Sequence, residues 1–132
     1  MGRRVSSESA STPPAASLAV MVVDDDRLVR SAMVRTLKRV PGVAVEDFPD
    51  GESALERAAV HTFDVAILDL KMPTLDGVRL ATMLRDKRPD LRVIFVTADP
   101  HGELAQRARL LSPAGVLAKP WSAEDLVRLL RA

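Results

Sequence analysis

The chain has 132 residues, 47% of them apolar, with 19 Lys and Arg against 18 Asp and Glu. That is enough for one domain with a core of ordinary size, and too apolar for general disorder. The charge balance gives no net basic footprint for non-specific nucleic-acid binding, and the absence of Cys removes disulfide frameworks, thiolate metal sites and Cys nucleophiles.

No apolar stretch approaches the roughly 18 residues of a membrane helix. Arg3 and Arg4 are not followed by an apolar signal core, so a cytoplasmic location without membrane association is expected. Residues 1–17, rich in Ser and Ala with Pro13-Pro14, are assigned to a tail or linker with no fold of their own. Residues 18–132 are assigned to the folded domain.

From Leu18 the pattern alternates. A strand is predicted over 18–23. A helix follows over 27–40, with Leu28, Val29, Ala32, Met33, Leu37 and Val40 on one face, stopped by Pro41-Gly42. A short half-alternating strand over 43–48 suits a sheet edge. Asp50-Gly51 opens a helix over 51–60. A strand over 64–68 ends at Asp69, and a loop holding Pro73 and Asp76-Gly77 leads to a helix over 78–88, broken by Pro89-Asp90. A strand over 91–97, a helix over 101–111 ended by Ser112-Pro113, a strand over 115–118 and a helix over 122–131 complete the chain. Ser122-Ala-Glu-Asp125 resembles a capping box at the last helix start. Strands alternating with helices give an α/β fold: a parallel sheet covered on both faces, with right-handed crossovers.

Parallel strands bring their carboxyl ends to one edge of the sheet. Asp24-Asp25, Asp69, Thr97 and Lys119 each follow an apolar run, so these five residues are expected to converge there. Adjacent acids at a strand end can share a target where the chain turns, and three carboxylates offer hard oxygen ligands suited to Mg²⁺. Helix capping by Asp25 or Asp26 is the plainer alternative. A carboxylate such as Asp69 can also attack phosphorus to give an acyl phosphate if a cation cancels the repulsion; Mg²⁺ and Lys119 would supply that charge. The Thr97 hydroxyl can donate to a phosphoryl oxygen. Pro120 permits a cis peptide bond that would turn Lys119 inward.

The set Val22-Val-Asp-Asp25, Leu68-Asp69, Met72-Pro73, Asp76-Gly77, Val96-Thr-Ala98 and Lys119-Pro120-Trp121 resembles the receiver domain of bacterial two-component response regulators over residues 18–132. The resemblance implies a doubly wound, flavodoxin-like five-stranded sheet of order 2-1-3-4-5 with five helices. It implies that Asp69 accepts a phosphoryl group from a histidine kinase or phosphotransfer protein. It also implies that Asp25 binds Mg²⁺ directly, Asp24 largely through water, and the Lys71 backbone carbonyl completes the shell. Thr97 and Lys119 would contact the phosphoryl group, and a homodimer could form through the α4-β5-α5 face.

Three positions depart from the pattern. Val116 replaces the usual switch aromatic three residues before the lysine. Ser112-Pro113 replaces a Gly-Ala. Lys71 and Asp99 are expected to flank the site, where an ion pair between them would hinder the attacking water. Arg27, Arg30, Arg35, Lys38 and Arg39 resemble a kinase-docking face in position. His61 and His101 lack a partner at ligand spacing.

Two rival functions remain. Asp24-Asp-Asp26 also fits the first motif of haloacid-dehalogenase-type phosphatases, with Asp24 as nucleophile and Asp26 as acid, but Asp69 would then be unexplained. The other is a receiver-like interaction module that phosphorylation does not regulate.

Overall fold

The computed structural model describes residues 17–131. The tail assigned to residues 1–17 lies outside them except for Ser17. Five strands and five helices alternate: β1 (Leu18–Val23), α1 (Arg27–Lys38), β2 (Val43–Phe48), α2 (Gly51–Ala58), β3 (Val65–Asp69), α3 (Gly77–Lys87), β4 (Arg92–Thr97), α4 (Glu103–Arg109), β5 (Gly115–Ala118) and α5 (Ala123–Arg131). All neighbouring strands pair in parallel, in the order β2-β1-β3-β4-β5. This is the implied order, with β2 on the expected edge.

The sheet is apolar on both faces because each has its own helices to cover. Successive strand residues point to opposite faces. Met21, Val23, Ala66, Leu68, Val93 and Phe95 therefore join one core with Ala54 of α2, Leu80 of α3 and Ala105 of α4. Val20, Val22, Val65, Ile67, Ile94 and Val96 join the other with Met33 and Leu37 of α1 and Leu126 and Leu130 of α5. β3 is buried at all five positions, as a central strand between two helical layers must be.

Local chemistry sets the element ends. Asp26, Asp50 and Asp76 cap α1, α2 and α3, each accepting from backbone N–H groups of the first turn, which would otherwise lack partners. Gly42, at φ 81°, makes the tight return from α1 into β2, and Gly42 O accepts from Leu18 N–H at 2.7 Å.

Ser112 sits in the same left-handed region at φ 51°, where a Cβ crowds the following carbonyl. Arg85 of α3 fastens this turn, donating to the carbonyls of Leu91, Leu111 and Ser112. These bonds involve only backbone atoms of the loop, so Ser112→Gly keeps them and removes the strain. It is expected to raise stability by about 0.5–1 kcal/mol, read as a higher midpoint in urea unfolding with unchanged slope.

Candidate functional site

The pairing register carries the functional side chains to the carboxyl edge of the sheet. Leu68 lies beside Val23 on one side and Phe95 on the other, so Asp24 and Asp69 each stand one step beyond aligned core residues. Thr97 pairs with Ala118, and Lys119 follows at once. One carboxylate oxygen from each of Asp24, Asp25 and Asp69 lies within 4.8 Å of the others. Lys119 Nζ sits 3.2 Å from Asp24 Oδ2 and 3.2 Å from Asp69 Oδ1. The Lys119–Pro120 peptide bond is cis.

Burial differs within this group. Asp24 is 3% exposed and Asp69 and Thr97 are 6% exposed, whereas Asp25 is exposed. The Asp69 carboxyl is pushed up from 3.8 to about 6, first by desolvation and then by the Asp24 charge; Lys119 opposes the shift and Asp25 adds to it. Desolvation acts to lower the Lys119 ammonium, but attraction to Asp24 and Asp69 prevails and holds it above the usual lysine range. One ammonium thus leaves the trio short of positive charge.

Thr97 shares the edge with Asp69, but its Oγ1 accepts from the Asp99 backbone N–H at 3.0 Å and makes no hydrogen bond to Asp69 among the described residues. Lys71 is exposed on the loop after β3. Its carbonyl accepts none of the loop's backbone hydrogen bonds among the described residues.

Two sequence expectations need correction, the Lys71–Asp99 ion pair and the place of Arg30 on an exposed basic face. Lys71 and Asp99 form no ion pair: the Asp99 carboxylate instead packs against Gly102, whose absent Cβ would fall 2.3 Å from its Oδ2. Asp26 takes the capping role offered as the plainer alternative: its Oδ1 accepts from the Leu28 and Val29 N–H groups of α1, which leaves the phosphatase reading without its acid. Arg30 is no part of an exposed basic face. It turns inward to Asp24 O and Asp47, a role that spacing among five similar basic residues could not reveal. Gly77 is a second residue the sequence did not mark as part of the site: its backbone lies directly against the Asp69 carbonyl.

The donor set fits a hard divalent cation. It consists of oxygen donors, two of the three carboxylates are buried, and burial together with the Asp24 charge pushes the Asp69 carboxyl upward. Such a cation prefers carboxylate and water oxygens. No helix among the described residues is long and apolar enough to cross a membrane.

Known proteins share this frame. Residues 20–131 match the response regulator receiver domain family model. The chain is 36% identical over 114 residues to a positive alginate biosynthesis regulatory protein of Pseudomonas aeruginosa, covering 85% of this chain and 45% of that one. It is 36% identical over 118 residues to the response regulator MprA of Mycobacterium ulcerans, covering 88% and 50%. The chain therefore spans about half the length of the curated relatives it matches. The structure superposes on the Vibrio cholerae chemotaxis protein CheY4 with a TM-score of 0.80 at 30% identity, over 88% of this chain and 98% of that one. The sheet order, the acidic pocket at its carboxyl edge and these similarities agree: the chain belongs to the response regulator receiver domain family.

Proposed function

We propose that this domain is a phospho-accepting switch, with Asp69 taking a phosphoryl group from a histidine kinase or phosphotransfer protein while Asp24, Asp25, Asp69 and the Lys71 carbonyl hold Mg²⁺. The observation that carries this reading is the Lys119 ammonium 3.2 Å from both Asp24 and Asp69 inside a three-carboxylate cluster. A carboxylate attacking a phosphoryl group must overcome repulsion between anions, and a fixed ammonium lowers that barrier without reorganising.

In the transfer, an Asp69 carboxylate oxygen forms the new bond to phosphorus. The bond from phosphorus to the donor histidine nitrogen breaks, and its electron pair stays on that nitrogen. Mg²⁺, when bound, supplies charge neutralisation at the transferred oxygens. Lys119 supports the same charge from the protein side. Thr97 exchanges its Asp99 contact for a phosphoryl oxygen, drawing in the loop after β4 and shifting the balance between two surface states. Val116 carries no ring to report that shift, so the β4–α4 loop or Trp121 takes the part. A homodimer through α4, β5 and α5 belongs to this proposal, as do the activities of the longer proteins the chain resembles.

Beryllofluoride with Mg²⁺ tests this reading, because it mimics the acyl phosphate without a kinase. Trp121, the chain's single Trp, lines a groove with Lys119 and Pro120 and reports on the site by fluorescence. The expected result is a saturable emission change and a raised melting temperature. Absence of both at millimolar reagent overturns phosphorylation and favours the unregulated interaction module.

Mg²⁺ affinity is expected to depend on pH, because the ligand must be deprotonated. With the Asp69 carboxyl titrating near 6, binding at pH 5 is expected to be roughly tenfold weaker than at pH 7. Calorimetric titration at the two values measures this directly.

A further inference from the structure

Arg30 is the basic residue of α1 that the docking-face expectation misplaced, and its contacts explain why. Its side chain is 16% exposed and lies in the junction of β1, β2 and α1. Nη1 donates to the Asp24 carbonyl at 2.7 Å, and Nε donates to Asp47 Oδ2 at 2.9 Å.

Asp24 is consequently held at four atoms. Its N–H donates to Phe48 O at 3.2 Å. Its carbonyl accepts from Arg30, its Oδ1 from Asp26 N–H at 2.8 Å, and its Oδ2 lies 3.2 Å from Lys119 Nζ. Asp25 is different: it is exposed and accepts no hydrogen bond among the described residues. Its place near Asp24 and Asp69 is therefore set through the backbone. The Asp24–Asp25 peptide is a planar unit, so the direction of the Asp24 carbonyl fixes the direction of the Asp25 N–H and Cα.

We propose that Arg30 is a positioning residue for the metal site: held by Asp47 and holding the Asp24 carbonyl, it sets the orientation in which Asp25 presents its carboxylate. This rests on reading the cluster as a Mg²⁺ site. The planar guanidinium suits the role because two of its nitrogens reach two acceptors at once. A lysine ammonium is a point charge on a flexible stem and cannot reproduce that geometry.

The sign of the effect separates positioning from charge. A cation beside three acids repels Mg²⁺, so on electrostatics alone its removal tightens binding. Loss of positioning weakens it. Partners that orient metal ligands from outside the shell are worth about tenfold or more in affinity.

The test is calorimetric Mg²⁺ titration of the wild type, Arg30→Met, Arg30→Lys and Asp47→Asn, with Arg27→Met, an exposed arginine on the same helix, as the charge control. Amide hydrogen exchange of the metal-free proteins gives an independent readout. Arg30→Met is expected to weaken Mg²⁺ binding by about tenfold, with Arg30→Lys and Asp47→Asn in between and Arg27→Met unchanged or slightly tighter. Exchange at Asp24 and Asp26, whose N–H groups donate to Phe48 O and Asp24 Oδ1, should quicken while that of the α5 amides does not. Unchanged or tighter Mg²⁺ binding by Arg30→Met, whatever its melting temperature, overturns the inference and leaves Arg30 a structural contact. If Arg30→Met does not fold, Arg30→Lys and Asp47→Asn decide by the same sign. A wild type that takes up no Mg²⁺ sinks the reading of the site itself, and this inference with it.

Discussion

Asp69→Asn is expected to abolish phosphoryl uptake and, at the same time, to stabilise the metal-free fold. The first effect is the largest anticipated for any single substitution in this chain. An amide oxygen is too poor a nucleophile to form the acyl phosphate, so labelling from a phospho-donor should fall by at least about a thousandfold. The beryllofluoride response of Trp121 should vanish with it. The second effect follows from electrostatics. The native Asp69 carboxyl titrates near 6 rather than 3.8 because it is desolvated beside Asp24, a difference equivalent to roughly 3 kcal/mol at neutral pH. The native state therefore holds the Asp69 proton more tightly than the unfolded chain does. The penalty is present above pH 6, shrinks as pH falls through that value, and is gone below about 4. Asparagine removes this penalty, which already includes the opposing attraction of Lys119, but its buried amide must still be desolvated, so a net gain of about 1–2 kcal/mol at pH 7 is expected. Denaturant unfolding without metal checks it. The gain should narrow at pH 5, and Mg²⁺ should close it at pH 7 by stabilising only the wild type. A less stable Asp69→Asn protein would show that the Lys119 contact outweighs the crowding of the acids.

The same residues show what could and could not be read from the sequence. The three central strands were legible because central parallel strands are continuous apolar runs, the edge strands β2 and β5 because a short apolar-rich stretch stands between helix breakers, and all their ends fall within a residue of expectation. Helix ends were less so. Helical spacing carried the first helix to residue 40, yet α1 stops at Lys38: Val40 still packs on the core, but from the turn that Gly42 completes. The fourth helix was expected over 101–111 and spans Glu103–Arg109. Gly102 N–H donates to Asp99 O, so the residues before Glu103 form a turn whose polarity looks the same as a helix start. The meeting of Asp24, Asp25, Asp69 and Lys119 followed from parallel topology alone, since every one of them ends a strand. The contacts of Arg30 and Gly77 at the site were not legible, for the converse reason. Arg30 resembles its basic neighbours in composition and differs only in tertiary direction. Gly77 reads as an ordinary turn glycine after Asp76, and what distinguishes it is the backbone it touches.

Gly77→Ala is expected to be the most damaging small substitution near the site. Gly77 opens α3, its N–H donating to Leu70 O at 2.9 Å, which presses the first turn of the helix onto the end of β3. A Cβ built there falls 2.5 Å from the Asp69 carbonyl oxygen and 3.0 Å from Leu70 Cα. Both are backbone atoms of a strand end buried on each side, so no side-chain rotation can relieve the overlap. Either α3 lifts from the sheet, disturbing Val78, Leu80 and Ala81 in the core, or the Asp69–Leu70 peptide moves and takes the Asp69 carboxylate with it. Overpacking of this kind costs about 1–3 kcal/mol, and backbone contact on both sides places this case near about 3 kcal/mol. The two routes separate experimentally. If the helix lifts, stability falls while Mg²⁺ affinity of the folded fraction holds. If the peptide moves, both fall, and Trp121 emission in the metal-free protein shifts as the Lys119–Asp69 contact loosens. The second outcome is expected, because the lifted helix would expose apolar surface along its whole length whereas the peptide needs to yield only about 1 Å to reach ordinary contact. A variant as stable as the wild type would mean that the approach of α3 to the end of β3 is looser than 2.5 Å implies.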